Sequence, residues 1–468
     1  MKSKLILTAI LLLLLNTSVL AMDPPVIEWD RTYFPGKYSR FYDVIETSDG
    51  GFIAAGFRLN DISSPADTCL FKFDSSGNLQ WASETEYYNK SLRKVLQIDG
   101  SGYIAIGAVK ELPTSSTSLL LLRTDTVGNT LWSQVFEYEN ASAYGTDFVI
   151  LPDGGFVVCG RIDPTEGMDR AWILRTDAQG DTLWTREWSH TSWATAVSIL
   201  YIDGGLTVFA QGNTPTTPGG PHLVRYDMEG NVLWETNFPD WPGTVTPGAQ
   251  AMCEASDGGL LLLDHYWPVI MHTDYQGNPD WWTCPPGSDQ PYGYSVSTTM
   301  DGGILYGGEL TSIDSKGFCG VIARFDSLGN DLWYDNVYNS GCSEINSVRQ
   351  LSQGGYIAAG KGSGAGLLIK YAPETGIEEP DPQSLRMEVY PNPFTSVLSV
   401  SFNLPEAGEA SLTVFDLNGR VVDVLGDGLY SEGEHTLQWA PVGISSGCYL
   451  VRLTTADDSV IKNIVLIK

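Results

Sequence analysis

Arg175–Trp188 reads RTDAQGDTLWTREW, and this stretch predicts the fold of most of the chain. It contains a basic residue, an Asp two positions later, a turn with Gly, and a Trp. Versions of it recur along the chain at Lys72–Trp81, Arg123–Trp132, Arg225–Trp234, His272–Trp281 and Arg324–Trp333. The shared Trp residues of successive copies are 47 to 52 residues apart. A fixed period of about 50 residues indicates a repeat architecture.

Each repeat also contains turns that separate short apolar segments. In the copy around Arg175 these segments are Phe148–Leu151, Phe156–Arg161, Ala171–Thr176 and Thr182–Trp188, and an Asp-Gly-Gly turn at residues 153–155 separates the first two. Four such segments predict one antiparallel four-stranded sheet per repeat. Repeated sheets that each carry a Trp are typical of β-propellers, in which the sheets stack radially as blades.

The number of blades follows from the period. Residues 23–372 amount to 350 residues, which at about 50 per repeat predicts seven blades, with six or eight as alternatives. The last repeat, residues 348–371, supplies three strands and lacks the Asp and Trp. Val26–Phe34 contains Trp29 and Tyr33 with the spacing of Trp184 and Trp188. We therefore predict an all-β fold, a seven-bladed β-propeller closed by an N-terminal strand.

The remaining segments suggest export and a second domain. Residues 1–21 predict a signal peptide, because Lys2 and Lys4 precede a short apolar run that ends at a small residue, Ala21. We assign residues 22–372 to the propeller, 373–385 to an acidic, Pro-rich linker and 386–468 to a small Ig-like β-sandwich. The chain has seven Cys, and in an exported protein Cys253–Cys284 and Cys319–Cys342 could form disulfides. Sequence spacing does not determine which cysteines pair.

Two resemblances add to this interpretation. The repeats resemble quinoprotein-like and Asp-box propeller repeats, which implies blade architecture and no catalytic residue. Four motifs in the second domain resemble the C-terminal sorting domain of type IX secretion substrates: Tyr390–Phe394, Val414–Arg420, Gly447–Arg452 and Lys462–Lys468. That resemblance implies export to the cell surface or the medium, with the secretion machinery as the partner of residues 386–468. The Ig-like domain of flagellar hook-capping proteins shares the Tyr-Pro-Asn-Pro start and is the alternative.

The charge of the chain excludes some partners. Lys and Arg number 27 against 56 Asp and Glu, a formal net charge of −29. Such a surface repels nucleic acid and anionic membranes, so we expect neither as a partner. The carboxylates could hold Ca²⁺, but we expect no other metal and no cofactor. We expect a monomer.

The loops of one face of the disc are the predicted binding region. In an up-and-down blade, the loops after the second and fourth strands emerge on the same face, and variable loops on a rigid scaffold often carry function. We call this the loop face. Its aromatic residues would suit a carbohydrate or protein ligand, although the rings could instead pack the loops. The candidates are Tyr38, Tyr88, Tyr144, Trp193, Trp241 and Tyr294.

Catalytic motifs are weak. The chain has no Gly-x-Ser-x-Gly elbow, no His-Glu-x-x-His and only five His, so we predict no catalytic residue. The favoured function is therefore an exported binding or scaffold protein. The alternative is an extracellular glycan hydrolase or lyase with its site on the loop face. A hydrolase would need two facing carboxylates, for which Asp147, Glu187, Asp240 and Glu344 are candidates.

Overall fold

A computed structural model describes most of the chain. The described residues are 23–59, 66–84, 91–98, 100–110, 116–188, 193–212, 220–238, 241, 248–266, 268–285, 291–311, 318–337, 343–374, 385–390, 394, 396–416, 420–441, 443–444, 447–455 and 459–466. The predicted signal peptide and most of the predicted linker lie outside them. The chain divides after residue 375 into two compact units.

The first unit contains seven four-stranded antiparallel sheets, which confirms the predicted seven-bladed propeller. The strand that precedes blade 1 is β1 (Ile27–Tyr33). Blades 1 to 3 consist of β2 (Ser39–Glu46), β3 (Phe52–Leu59), β4 (Ala66–Phe73), β5 (Leu79–Glu84); β6 (Ser91–Ile98), β7 (Gly102–Lys110), β8 (Thr117–Thr124), β9 (Thr130–Phe136); and β10 (Ala141–Ile150), β11 (Phe156–Pro164), β12 (Arg170–Thr176), β13 (Thr182–Trp188). Blades 4 to 6 consist of β14 (Ala194–Ile202), β15 (Gly205–Gly212), β16 (Gly220–Tyr226), β17 (Val232–Asn237); β18 (Ala249–Glu254), β19 (Leu260–Asp264), β20 (Ile270–Thr273), β21 (Pro279–Thr283); and β22 (Pro291–Thr298), β23 (Ile304–Thr311), β24 (Phe318–Phe325), β25 (Asp331–Val337). Blade 7 combines β26 (Ser343–Gln350), β27 (Tyr356–Gly362) and β28 (Ala365–Tyr371) with β1.

The ring is closed by the first strand, as predicted. β1 runs antiparallel to β28, with Ile27 opposite Tyr371 and Tyr33 opposite Gly366. The backbone N–H of Ala372 also donates to the carbonyl of Val26 at 2.9 Å. Blade 7 is therefore built from two segments that are far apart in sequence.

Neighbouring blades are held together by apolar side chains. One buried cluster joins Val157 and Ile173 of blade 3 to Val208 and Val224 of blade 4, and comparable clusters join the other blades. Removing apolar surface from water contributes about 25 cal/mol per Å². This explains why the second strand of each repeat is almost wholly apolar, since both of its faces are covered.

The repeated Asp, Gly and Trp form a seam between blades. Asp125 Oδ1 accepts from the backbone N–H groups of Val127 (3.0 Å) and Asn129 (2.8 Å), which fixes the turn between β8 and β9. Gly128 in this turn has φ +88°, and a Cβ there would lie 2.7 Å from the indole of Trp81 in the preceding blade. Trp29 of β1 makes the same close approach to the turn glycine of blade 1, so the closing strand reproduces the seam.

The second unit is the predicted β-sandwich. Its strands are β29 (Arg386–Tyr390), β30 (Leu398–Leu404), β31 (Gly408–Asp416), β32 (Val421–Tyr430), β33 (Gly433–Trp439), β34 (Gly447–Thr455) and β35 (Ser459–Leu466). They form a three-stranded sheet, β29-β30-β33, and a four-stranded sheet, β32-β31-β34-β35. The two sheets share one core that includes Val400, Leu412, Val451 and Ile464. No helix in the described part of the chain has the length and apolar character needed to cross a membrane.

Candidate functional site

The seven innermost strands surround a central channel of about 1020 Å³. Each of these strands contains a register shift, at which one residue has no partner on the next strand. Such a β-bulge re-aims a side chain. The seven bulge residues all line the channel, one from each blade: Tyr42, Arg93, Thr146, Val197, Gln250, Tyr294 and Asn346.

The residue after the bulge often links neighbouring blades. Asp43 accepts from the backbone N–H of Val95 (3.2 Å), from Ser347 Oγ (2.9 Å) and from Arg349 Nη2 (3.1 Å), so it joins blades 1, 2 and 7. Buried charges require partners of this kind, because desolvation of an unpaired carboxylate is costly. Asp43 therefore has a structural role, which is to hold blades 1, 2 and 7 together.

Asp147 has the same role in blade 3. It accepts from Ser198 Oγ (2.7 Å) and from the backbone N–H of Ile199 (3.0 Å) of blade 4, and it pairs with Lys94 of blade 2. We call Asp43, Asp147 and these partners the girdle. Asp147 was a sequence candidate for catalysis, but its oxygens are engaged in holding three blades together.

Three tyrosines of the channel wall each have a cation near the ring. The Arg93 guanidinium lies 4.1 Å from the ring centre of Tyr42, and that of Arg161 lies 5.1 Å from the ring centre of Tyr144. Lys361 Nζ lies 5.2 Å from the ring centre of Tyr38. These are cation–π distances, at which the quadrupole of the ring attracts the cation and holds it in place.

The predicted aromatic residues are only partly brought together. Tyr38, Tyr144 and Tyr294 line the channel, from blades 1, 3 and 6. Trp193 is half-buried and is not among the lining residues. Trp241 is buried and packs against Phe209 and Phe238, with ring centres 6.3 and 5.6 Å away. Tyr88 lies outside the described residues.

Sequence reasoning missed the other channel side chains, above all Tyr42 and Arg93. Each bulge residue stands six or seven positions before the Asp-Gly-Gly turn of its repeat or the variant of that turn. This constant spacing is the signal that could have found them. The spacing alone, however, does not tell which face of the strand these residues occupy. Only the register shift shows that they face the channel.

An acidic pair lies beside the lining residues Tyr294 and Arg40. The hydroxyl of Tyr294 donates to Glu309 at 2.9 Å, and Arg40 Nε lies 2.6 Å from Glu344. Burial raises the pKa of Glu309, and the charge of Glu344 raises it further. The two carboxyl groups therefore have different electrostatic environments. Of the other acidic candidates, Glu187 pairs with Arg170 on outer strands, and Asp240 lies outside the described residues.

The described residues contain no group of three or more His, Cys, Asp or Glu side chains arranged to hold a metal ion. His272 contacts Asp257 and Asp280 at 3.2 and 3.1 Å and stacks on Trp281. Cys253 and Cys284, one of the two disulfide pairs considered from the sequence, are both unbonded.

Comparison with solved structures gives distant similarities. Puromycin hydrolase is 12% identical with a TM-score of 0.49, over 78% of this chain and 58% of its own. YCF48 from Cyanidioschyzon merolae is 11% identical with a TM-score of 0.43, over 74% and 99%. A Bacteroides caccae protein of unknown function is 12% identical with a TM-score of 0.41, over 64% and 94%.

The second unit gives the specific match. No curated protein matches the chain by sequence. Residues 388–468, however, match the family described as the secretion system C-terminal sorting domain, as the Tyr-Pro-Asn-Pro motif and those that follow it predict. This domain interacts with the type IX secretion machinery. The chain therefore consists of a β-propeller followed in sequence by a type IX sorting domain, and it is a protein secreted to the extracellular space or the cell surface.

Proposed function

We propose that the propeller is a binding module whose ligand enters the central channel from the loop face. The observation that supports this most is the convergence of Tyr38, Tyr144 and Tyr294, from three separate blades, on one channel of about 1020 Å³. That volume is just above the usual range for small-ligand sites, roughly 300–1,000 Å³. An exported protein would meet such a ligand outside the cell.

The lining suits a ligand with both apolar faces and hydroxyl groups. Tyr rings offer flat faces for sugar rings or peptide side chains, and their hydroxyls offer hydrogen bonds. The girdle holds the wall of the channel in place, which lowers the cost of ordering the site when a ligand binds. We therefore favour binding over catalysis, with a carbohydrate or a protein segment as the ligand.

Arrays of glycans and peptides, probed with the full chain, test this proposal. Tyr144→Ala should weaken binding of the strongest hit at least tenfold, because it removes a ring from the channel wall. Tyr334→Ala is the matched control, since Tyr334 is an exposed ring on the outer strand β25. The proposal is wrong if no array ligand binds, or if the two variants bind the hit equally well.

The acidic pair supports a second candidate function, glycoside hydrolysis. Glycosidases use two carboxyl groups whose environments push their pKa values apart. Glu309, whose pKa is raised by burial, would be the acid, and Glu344, which lies 2.6 Å from Arg40 Nε, would be the second carboxyl group. Glu309→Gln should then lower kcat on an array hit by about a hundredfold while the affinity stays within a factor of three. If the unmodified protein does not cleave any glycan that it binds, this candidate is excluded.

A further inference from the structure

The channel and the whole chain have opposite charge. The chain has about twice as many acidic as basic residues, 56 against 27. The channel wall has two carboxylates, Asp43 and Asp147, against six cations, which leaves a net charge of +4. The six cations are Arg40, Arg93, Lys94, Lys110, Arg161 and Arg349.

Both carboxylates of the wall are already paired. Asp147 pairs with Lys94, and Asp43 lies 3.1 Å from Arg349. Arg40 is also neutralised, by Glu344. Arg161 is paired too, with Asp169 at 3.4 Å and Asp163 at 4.0 Å. The surplus of positive charge therefore lies with the remaining two cations, Arg93 and Lys110.

Blade 2 supplies both of those cations. Arg93 is on β6 and Lys110 is on the adjacent strand β7, and neither has a carboxylate partner among the residues that the structure describes. An anion in the channel would therefore meet two such cations on adjacent strands of blade 2.

Arg93 has the geometry of an anion anchor. It is exposed to the channel, and its guanidinium lies over the ring of Tyr42 at 4.1 Å. Stacking on a ring occupies the face of a guanidinium and leaves the N–H groups at its edge free. Those N–H groups match a carboxylate with two parallel hydrogen bonds.

We propose that the ligand of the channel is an acidic glycan, a polysaccharide segment that bears carboxylate groups. This rests on the proposed function of the channel as the binding site. Positive charge inside a cleft with low-dielectric walls attracts anions more strongly than the same charge on an open surface. The acidic exterior repels the same anions, so binding is confined to the channel.

The uncharged part of the wall favours a glycan over an acidic peptide. Hydroxyl and amide side chains line the channel from every blade between blade 2 and blade 7, including Thr117, Thr195, Gln250 and Asn346. A sugar ring carries hydroxyl groups around its whole rim and can use such partners on all sides. Peptide binding instead relies on a free strand edge or on apolar pockets along one line.

Calorimetry with the full chain tests the proposal on three probes: an oligogalacturonate, its methyl ester, in which the carboxylates are neutral, and poly-L-glutamate. We expect the oligogalacturonate to bind at least tenfold more tightly than either of the others, and its affinity to fall as NaCl rises from 50 to 300 mM. Arg93→Ala should weaken it at least tenfold, and Arg93→Lys should weaken it less. Arg31→Ala, which removes a cation from the outer strand β1, should leave the affinity unchanged.

The outcomes separate this inference from the proposed function. Equal binding of the ester, or no effect of Arg93→Ala, would overturn the anionic ligand and leave a neutral glycan site. Tighter binding of poly-L-glutamate would overturn the glycan. If none of the three probes binds but a different array ligand depends on Tyr144, this inference alone fails. If no ligand binds at all, the proposed function fails with it.

Discussion

Asp264, at the end of β19, shows how one residue can couple the stability of the fold to pH. Its side chain is fully buried. One carboxyl oxygen accepts from the backbone N–H groups of Gly248 (3.0 Å) and Tyr266 (2.8 Å), and the other has no partner among the described residues. Burial raises the pKa of Asp264 to about 7, from 3.8. Burial also lowers the pKa of the neighbouring His265, so no positive charge compensates beside it at neutral pH.

We predict that Asp264→Asn stabilises the propeller above pH 7. Between pH 3.8 and about 7 the unfolded chain loses the proton of Asp264 while the folded chain keeps it. The free energy of unfolding therefore falls as the pH rises through this window, by on the order of 2 to 4 kcal/mol. Asn keeps the acceptor oxygen without the charge, so the variant should lack this loss.

Thermal unfolding at pH 5 and at pH 8 measures the effect. Asp30→Asn, at an exposed carboxylate on β1, is the control and should follow the pH dependence of the unmodified protein. An Asp264→Asn variant with that same pH dependence would show that burial does not hold the proton on Asp264.

At the scale of elements, β1 differs from every other outer strand. The outer strands of blades 1 to 6 continue from their own blades through a short turn, as β9 follows β8. β1 is joined to blade 7 only by hydrogen bonds to β28, and its side chains pack on blade 1. One of these is Trp29, whose indole packs on Gly77 and lies 5.9 Å from the ring of Phe52.

We predict that Trp29→Ala loosens β1 more than the equivalent change loosens a strand with a covalent turn. Amides of residues 27–33 should exchange with deuterium at least tenfold faster in this variant, because local opening of β1 needs no other strand to move. Trp132→Ala is the matched control, since it removes the same kind of indole–glycine contact from β9. Equal loss of protection in the two variants would mean that closure depends on the whole sheet and not on this contact.

At the scale of the whole molecule, the repeats were predictable and the channel was not. The Asp, Gly and Trp of each copy form a turn and a seam between blades. Both depend on particular residue types at fixed spacing, so they can be predicted from the sequence. The channel depends on a one-residue register shift, which reverses the face that a strand residue occupies. Arg93 and Tyr42 therefore look like ordinary strand residues until the pairing is known.

Two further differences between what the sequence indicates and what the structure shows also have local causes. Trp241 was predicted to face a ligand because it lies in a loop, but loop position does not determine burial, and it packs under Phe209 and Phe238. In the sorting domain, β32 reads VVDVLGDGLY and lacks the alternation of apolar and polar residues that predicts a half-covered strand. Val421, Val424 and Leu429 are all exposed on it.

The recurrent bulge has an evolutionary consequence. Each blade presents one side chain to the lumen from a position that is unpaired in its own hairpin, while the adjacent position often ties the blade to its neighbours. Thr146 and Asn346 also donate side-chain hydrogen bonds to carbonyls of the next blade, so they help to hold the ring together. At the other five lumenal positions, point substitutions can alter selectivity one blade at a time and leave the contacts between blades in place. Related proteins can therefore evolve to bind different ligands while they keep the same propeller fold.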